Sequence, residues 1–216
     1  MQSFKTGELN VEPRTTILLE GSNSPQLYTV LHGMGTRYTT LENGKRQVIN
    51  FLFPGDFAGL QAGIMGEMKH SVEAVTEMTL CVFRRNDLWE VFRQQPERAY
   101  DLTWIGAVEE HFLGETIASL GQRDATQRIA WALVRIHERL TAAGLEKDGG
   151  VPLPFRQQDL ADALGLSLVH TNKTLKALRA MGLVQWSDGR LEIAQLDELA
   201  ALAMIDLQQV QPRPLM

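Results

Sequence analysis

The sequence predicts an α+β chain in three parts. An antiparallel β jelly roll occupies residues 1–96, a long helix suited to dimerisation spans 97–121, and a winged helix-turn-helix fills 122–216. Three patterns carry this expectation. Short alternating segments punctuated by Gly, Pro and Asn run from residue 4 to 84, and a long amphipathic stretch without Pro follows. Two helical stretches joined through a Gly then lead into an Asp-Gly hairpin.

The strand segments read TTILLEG, LYTVLHG, GTRYTTL, RQVINFLF, SVEAVT and TLCVFRR. LYTVL and QVINFLF alternate, and ENGK and LFPGD supply the connecting turns. Many short strands at near-regular spacing fold as a barrel or jelly roll. From 97 to 120, Leu102, Ile105, Val108 and Phe112 recur every three or four residues. That stripe is narrow and long for covering one small barrel, which predicts a homodimer seam at these four positions. Packing on its own barrel is the competing reading, and Glu109, Glu110 and Glu115 leave the heptad register open.

A second helix starts at Asp124, an N-cap type, and stops at Gly144; EKDGGVPLP is a loop leading into an extended piece. Gln157 to Leu164 is helical with Leu160, Ala161 and Leu164 inward, and Gly165 ends it. Ser167 caps the next helix, whose inward residues are Thr171, Leu175 and Leu178. LVQWSDGRLEIAQ then forms a hairpin about Asp188-Gly189, so the helix pair carries a wing.

Composition sets outer limits. The 216 residues are 44% hydrophobic and 22% charged, which are globular values. No run approaches the roughly 20 apolar residues of a membrane span, and the start lacks the apolar core of a signal peptide. A cytoplasmic protein without a membrane partner is expected. Cys81 is the single cysteine, which excludes an internal disulfide or an all-cysteine cluster. His32, His70 and His111 have no close ligand spacing, so no metal is expected.

The net charge of −5 argues against a chain coated by nucleic acid, but local distribution is what steers a polyanion. Between Ser167 and Gly182 stand Lys173, Lys176 and Arg179 and no acid, although acids outnumber bases 26 to 21 overall. Helical steps put Val169, Asn172, Lys173 and Lys176 on one face, opposite Leu175 and Leu178. With a helix N-terminus beside it, this face suits double-stranded DNA. The expected contacts are Ser167, Leu168, Val169, His170, Asn172, Lys173 and Lys176.

These motifs resemble the Crp/Fnr family of bacterial transcription regulators, and nearly the whole chain takes part. FLFPGDFAGL resembles the family's effector-pocket turn, DATQRIAWALV its hinge and first DNA-domain helix, and RQQDLADALGLS with TNKTLKAL its signature helix-turn-helix. The resemblance implies a cyclic-nucleotide-binding-like sensor, a dimerisation helix, and RNA polymerase as a further partner. Leu168, Val169 and Lys173 match the family's base-reading positions. Lys173 suits guanine, whereas Leu168 and Val169 lack the usual hydrogen-bonding pair and suit a thymine methyl.

The sensor departs further. An unidentified small-molecule effector is expected near Asp56, Phe57, Lys69, His70 and Ser71, with Asp56 serving a ribose if the ligand is a nucleotide. The family's Arg-Ser or Arg-Thr phosphate pair is missing at Met68, Lys69 and His70, so a cyclic nucleotide is not expected. Cys81 alone cannot hold an iron-sulfur cluster. Two other readings stay open: a constitutive regulator with a collapsed pocket lined by Leu60, Ile64, Met65 and Met68, and a cupin-type metal enzyme.

Overall fold

The computed structural model describes residues 4–207. The chain forms two compact units that part between Glu110 and His111, inside the long helix.

In the first unit the predicted strands appear as β1 (Lys5–Val11), β2 (Thr16–Leu18), β3 (Gln26–His32), β4 (Gly35–Thr40), β5 (Arg46–Leu52), β6 (Phe57–Ala58), β7 (Ser71–Ala74) and β8 (Met78–Arg84). They make two four-stranded antiparallel sheets, ordered β1-β8-β3-β6 and β2-β7-β4-β5. Alternation sends Val30, Leu80 and Val82 from one sheet and Leu52, Val72 and Ala74 from the other into a shared core. This is the jelly roll that the sequence predicts.

The short helix α1 (Leu60–Met65) follows β6, and α2 (Leu88–Gln94) follows a single 3-10 turn at Arg85–Asp87. The pocket lining expected from this region is not built. Met68 is fully buried in the shared core, whereas Ile64 and Met65 are 67% and 62% exposed.

The long helix α3 (Pro96–Gln122) begins with Pro, whose missing N–H costs nothing in a first turn. Most of its apolar stripe is covered by its own chain. Leu102 packs with Leu27, Phe57, Phe83 and Val91 of the same unit, and Ile105 is 2% exposed. Phe112, in the second unit, stacks on Trp131 with ring centroids 5.9 Å apart. Three of the four expected dimer positions are thus occupied within their own chain, and Val108 is half-buried. Among the exposed positions of α3, which also include Pro96, Glu97, His111, Leu113, Ala118 and Gln122, the residues Tyr100, Thr103, Ala107, Glu110, Gly114, Ile117 and Gly121 recur three and four residues apart.

The second unit is built on α4 (Ala125–Ala142). Asp124 caps it by accepting from the Thr126 and Gln127 amides at 2.8 and 2.9 Å, and Gln127 returns a bond to the Asp124 amide. Ile129, Leu133 and Leu140 form its buried stripe. Around it lie α5 (Gln157–Leu164), α6 (Leu168–Ala180), a sheet ordered β10-β11-β9 from β9 (Gly150–Pro152), β10 (Val184–Ser187) and β11 (Arg190–Ile193), and α7 (Leu196–Leu202). Asp188 and Gly189 both have positive φ, at 52° and 71°, as a two-residue turn between right-twisted strands demands. The wing has a third strand, β9, in the stretch expected only to be extended. No helix is long and apolar enough to cross a membrane among the described residues.

Candidate nucleic-acid interface and sensor interior

The candidate interface is set by the turn between α5 and α6. Gly165 takes φ 63° and stops α5, and the Leu166 amide closes the turn onto the Ala161 carbonyl at 3.0 Å. Ser167 then starts α6, its Oγ accepting from the His170 amide at 3.2 Å. Thr171, Thr174, Leu175 and Leu178 are buried and hold α6 to the unit. Ser167, Leu168, Val169, His170, Asn172, Lys173 and Lys176 are all exposed, as is Arg179. Val169, 80% exposed, lies almost diametrically opposite the middle of the buried stripe.

The wing's own cation is committed to its chain. Arg190 donates to the carbonyls of Lys147 and Asp148 and pairs with Glu192 at 3.1 Å. The Trp186 indole N–H donates to the Leu153 carbonyl at 3.0 Å, which fixes β10 against the segment entering α5. A buried cluster that the sequence reading missed braces the unit. Arg135 on α4 donates to Glu138 at 2.9 Å and to Glu115 of α3 at 2.7 Å. Glu115, read as an interruption of a heptad, is a tether.

In the sensor unit the expected effector residues are mostly committed to the fold. Asp56 is 1% exposed and accepts from the Phe53 amide at 2.8 Å, so its carboxylate closes the Pro-Gly turn and is not presented to a ribose. Phe57 stacks on Phe83 in the core. Ser71 Oγ is buried and accepts from the Glu20 amide at 3.0 Å. Lys69 is exposed and ion-paired with Glu67.

His70 lies beside a charged group inside the barrel, which the backbone carbonyl of Phe57 also joins. Arg37 of β4 lies opposite Asn50 of β5 and Val72 of β7 in register, which sends it inward. Its Nη1 donates to Glu109 of α3 at 2.8 Å, and its Nη2 donates to the Phe57 carbonyl at 2.5 Å. Asn50 donates to the same Glu109 oxygen at 3.0 Å. His70 is 9% exposed, and its pKa is lowered to about 4 by burial and by the nearby Arg37 guanidinium, against the pull of Glu109.

The interior cation is therefore neutralised by the chain's own carboxylate, and this donor set does not suit the ribose and phosphate of a cyclic nucleotide. Arg37 and Asn50 were legible only as charged or polar residues at inward positions of alternating strands. Among the described residues, no three His, Cys, Asp or Glu side chains are grouped to hold a metal ion.

Two family models match the chain: a cyclic nucleotide-binding domain over residues 8–95 and a Crp-like helix-turn-helix domain over residues 127–202. The nitrogen fixation regulation protein FixK of Rhizobium meliloti is 32% identical over 196 residues, covering 88% of this chain and 84% of the relative. FixK of Bradyrhizobium diazoefficiens is 29% identical over 200 residues, covering 93% and 80%. Among solved structures, FixK2 from Bradyrhizobium japonicum matches with a TM-score of 0.81 at 24% identity, over 91% of this chain and 96% of that one. That likeness is one of fold.

Proposed function

We propose that this chain, which belongs to the Crp/Fnr family of transcription regulators, reads an inverted repeat as a homodimer. The family comprises DNA-binding regulators and not enzymes, so the cupin-type reading is set aside. The observation that carries the proposal is the outward face of α6. It is basic and acid-free, it stands opposite a buried stripe, and it lies beside a wing. Ser167 and the first amides of α6 meet a phosphate, Lys173 reads guanine, and His170, Asn172 and Lys176 flank it.

Dimerisation is argued from α3. Gly114 and Gly121 sit exposed within this helix, and a Cβ added at either meets nothing within 4 Å. Each costs about 1 kcal/mol of helix stability relative to Ala, with no return inside the chain. Close approach of a second backbone supplies the return. The seam is therefore Thr103, Ala107, Glu110, Gly114, Ile117 and Gly121, in place of Leu102, Ile105 and Phe112. Two α6 helices related by a two-fold axis then enter successive major grooves about 34 Å apart. RNA polymerase is the further partner that such a regulator engages.

The sensor reading divides in two. One keeps an unidentified effector acting near Asp56 to Ser71 and Lys69. The other is a constitutive regulator, and the Arg37–Glu109 pair favours it, because an internal anion holds the barrel's inward cation. Selection of bound fragments from a random duplex pool tests the DNA reading. An enriched inverted repeat with half-sites one helical turn apart is expected, and a pool without enrichment rejects it. Thermal-shift screening of the full chain against nucleotides and organic anions separates the two sensor readings, since a tight ligand raises the melting temperature.

A further inference from the structure

We infer that Val169, with Leu168 beside it, recognises the C5 methyl of thymine, so that each half-site carries an A·T pair at that position and accepts 5-methylcytosine in place of cytosine there. This rests on the reading that α6 enters the major groove. Val169 is 80% exposed and Leu168 39% exposed, at the first two positions of α6. A branched apolar side chain placed opposite the buried stripe contributes nothing to the core that holds the helix. Neither side chain can donate or accept a hydrogen bond, so neither can read the N7, O6, N6 or N4 groups of the base edges.

The apolar group that major-groove edges display is the thymine methyl, and 5-methylcytosine presents the same group on the other pyrimidine. The first residues of a recognition helix are also those that reach base edges. Charge favours this partner over an apolar protein surface: the flanking exposed residues are Asn172, Lys173, Lys176 and Arg179, and the stretch from Ser167 to Gly182 has no acid. Lys173 lies one turn on and on the same face as Val169, so the half-site joins a methylated pyrimidine to a nearby guanine.

The test uses the full chain and the duplex selected from the random pool. Each thymine is replaced in turn by deoxyuridine, which removes the methyl and keeps the pairing, and the matching cytosine and 5-methylcytosine duplexes are made at the responsive position. Loss of one buried methyl is expected to weaken binding about fourfold per half-site, roughly fifteenfold for both. 5-Methylcytosine should recover a similar factor over cytosine. The Leu168→Ser, Val169→Ser double variant, at two exposed positions, should bind with these differences erased, which separates a side-chain contact from any change in the duplex itself. Unchanged affinity at every deoxyuridine position, or methyl dependence that survives in the double variant, overturns the inference while leaving the DNA reading intact. A pool that yields no preferred duplex overturns both.

Discussion

His70 sits neutral beside Arg37 and Glu109, and that has a measurable consequence. Its pKa in the fold is about 4, against an ordinary value of 6.5. Well above pH 6.5 neither the folded nor the unfolded chain protonates it, and its share of stability is complete. As pH falls from 6.5 towards 4, the unfolded chain takes up a proton that the fold refuses, and stability drops by about 2 kcal/mol at pH 5. Urea unfolding of the sensor unit should follow this slope, and His70→Gln should flatten it; an equal slope in both would remove His70 from the balance. None of this group was visible as a cluster in the sequence. Arg37 and Glu109 are 72 residues apart, and Asp56 sits in a motif whose resemblance suggested a ligand while its carboxylate closes a turn. Local chemistry shows which residues are polar, but which buried partner each finds depends on strand register.

Helices divide sharply in how much of them can be read in advance. For α6, periodicity, cap and charge all point to the same face, and the buried set contains the expected Thr171, Leu175 and Leu178 and adds Thr174. In α3 a spacing of three and four residues occurs twice, once through Leu102 and Ile105 and once through Ala107, Glu110, Gly114 and Ile117. Hydrophobicity selected the first stripe. The barrel buries Leu102 and Ile105 and leaves the smaller-residue stripe exposed, a distinction periodicity alone does not contain. Ile117→Glu, at a position 70% exposed, should weaken self-association more than tenfold in sedimentation equilibrium while leaving the melting temperature of the sensor unit unchanged. Leu102→Ala should do the reverse, costing about 2–5 kcal/mol of sensor stability by opening a core cavity. If Ile117→Glu remains as dimeric as the parent chain, the seam lies elsewhere.

For the molecule as a whole, the order of jelly roll, long helix and winged head was legible because each part repeats a local pattern many times. The parting at Glu110 and His111 was not, since nothing in the sequence of α3 marks it. On the proposed reading, in which the acidic chain meets DNA through the small basic face of α6, ionic strength should govern affinity. With Lys176 and Arg179 of each copy on phosphates and Lys173 on a base, raising salt from 50 to 200 mM should weaken operator binding on the order of a hundredfold, and a flat salt profile would count against the interface. The Arg37–Glu109 pair has a last consequence for signalling. Glu109 is covalently tethered, so Arg37 experiences it at an effective concentration on the order of millimolar or more, whatever the cell contains. A soluble anion that entered the barrel would have to outcompete that built-in carboxylate, so a metabolite present at micromolar levels cannot take its place by charge alone.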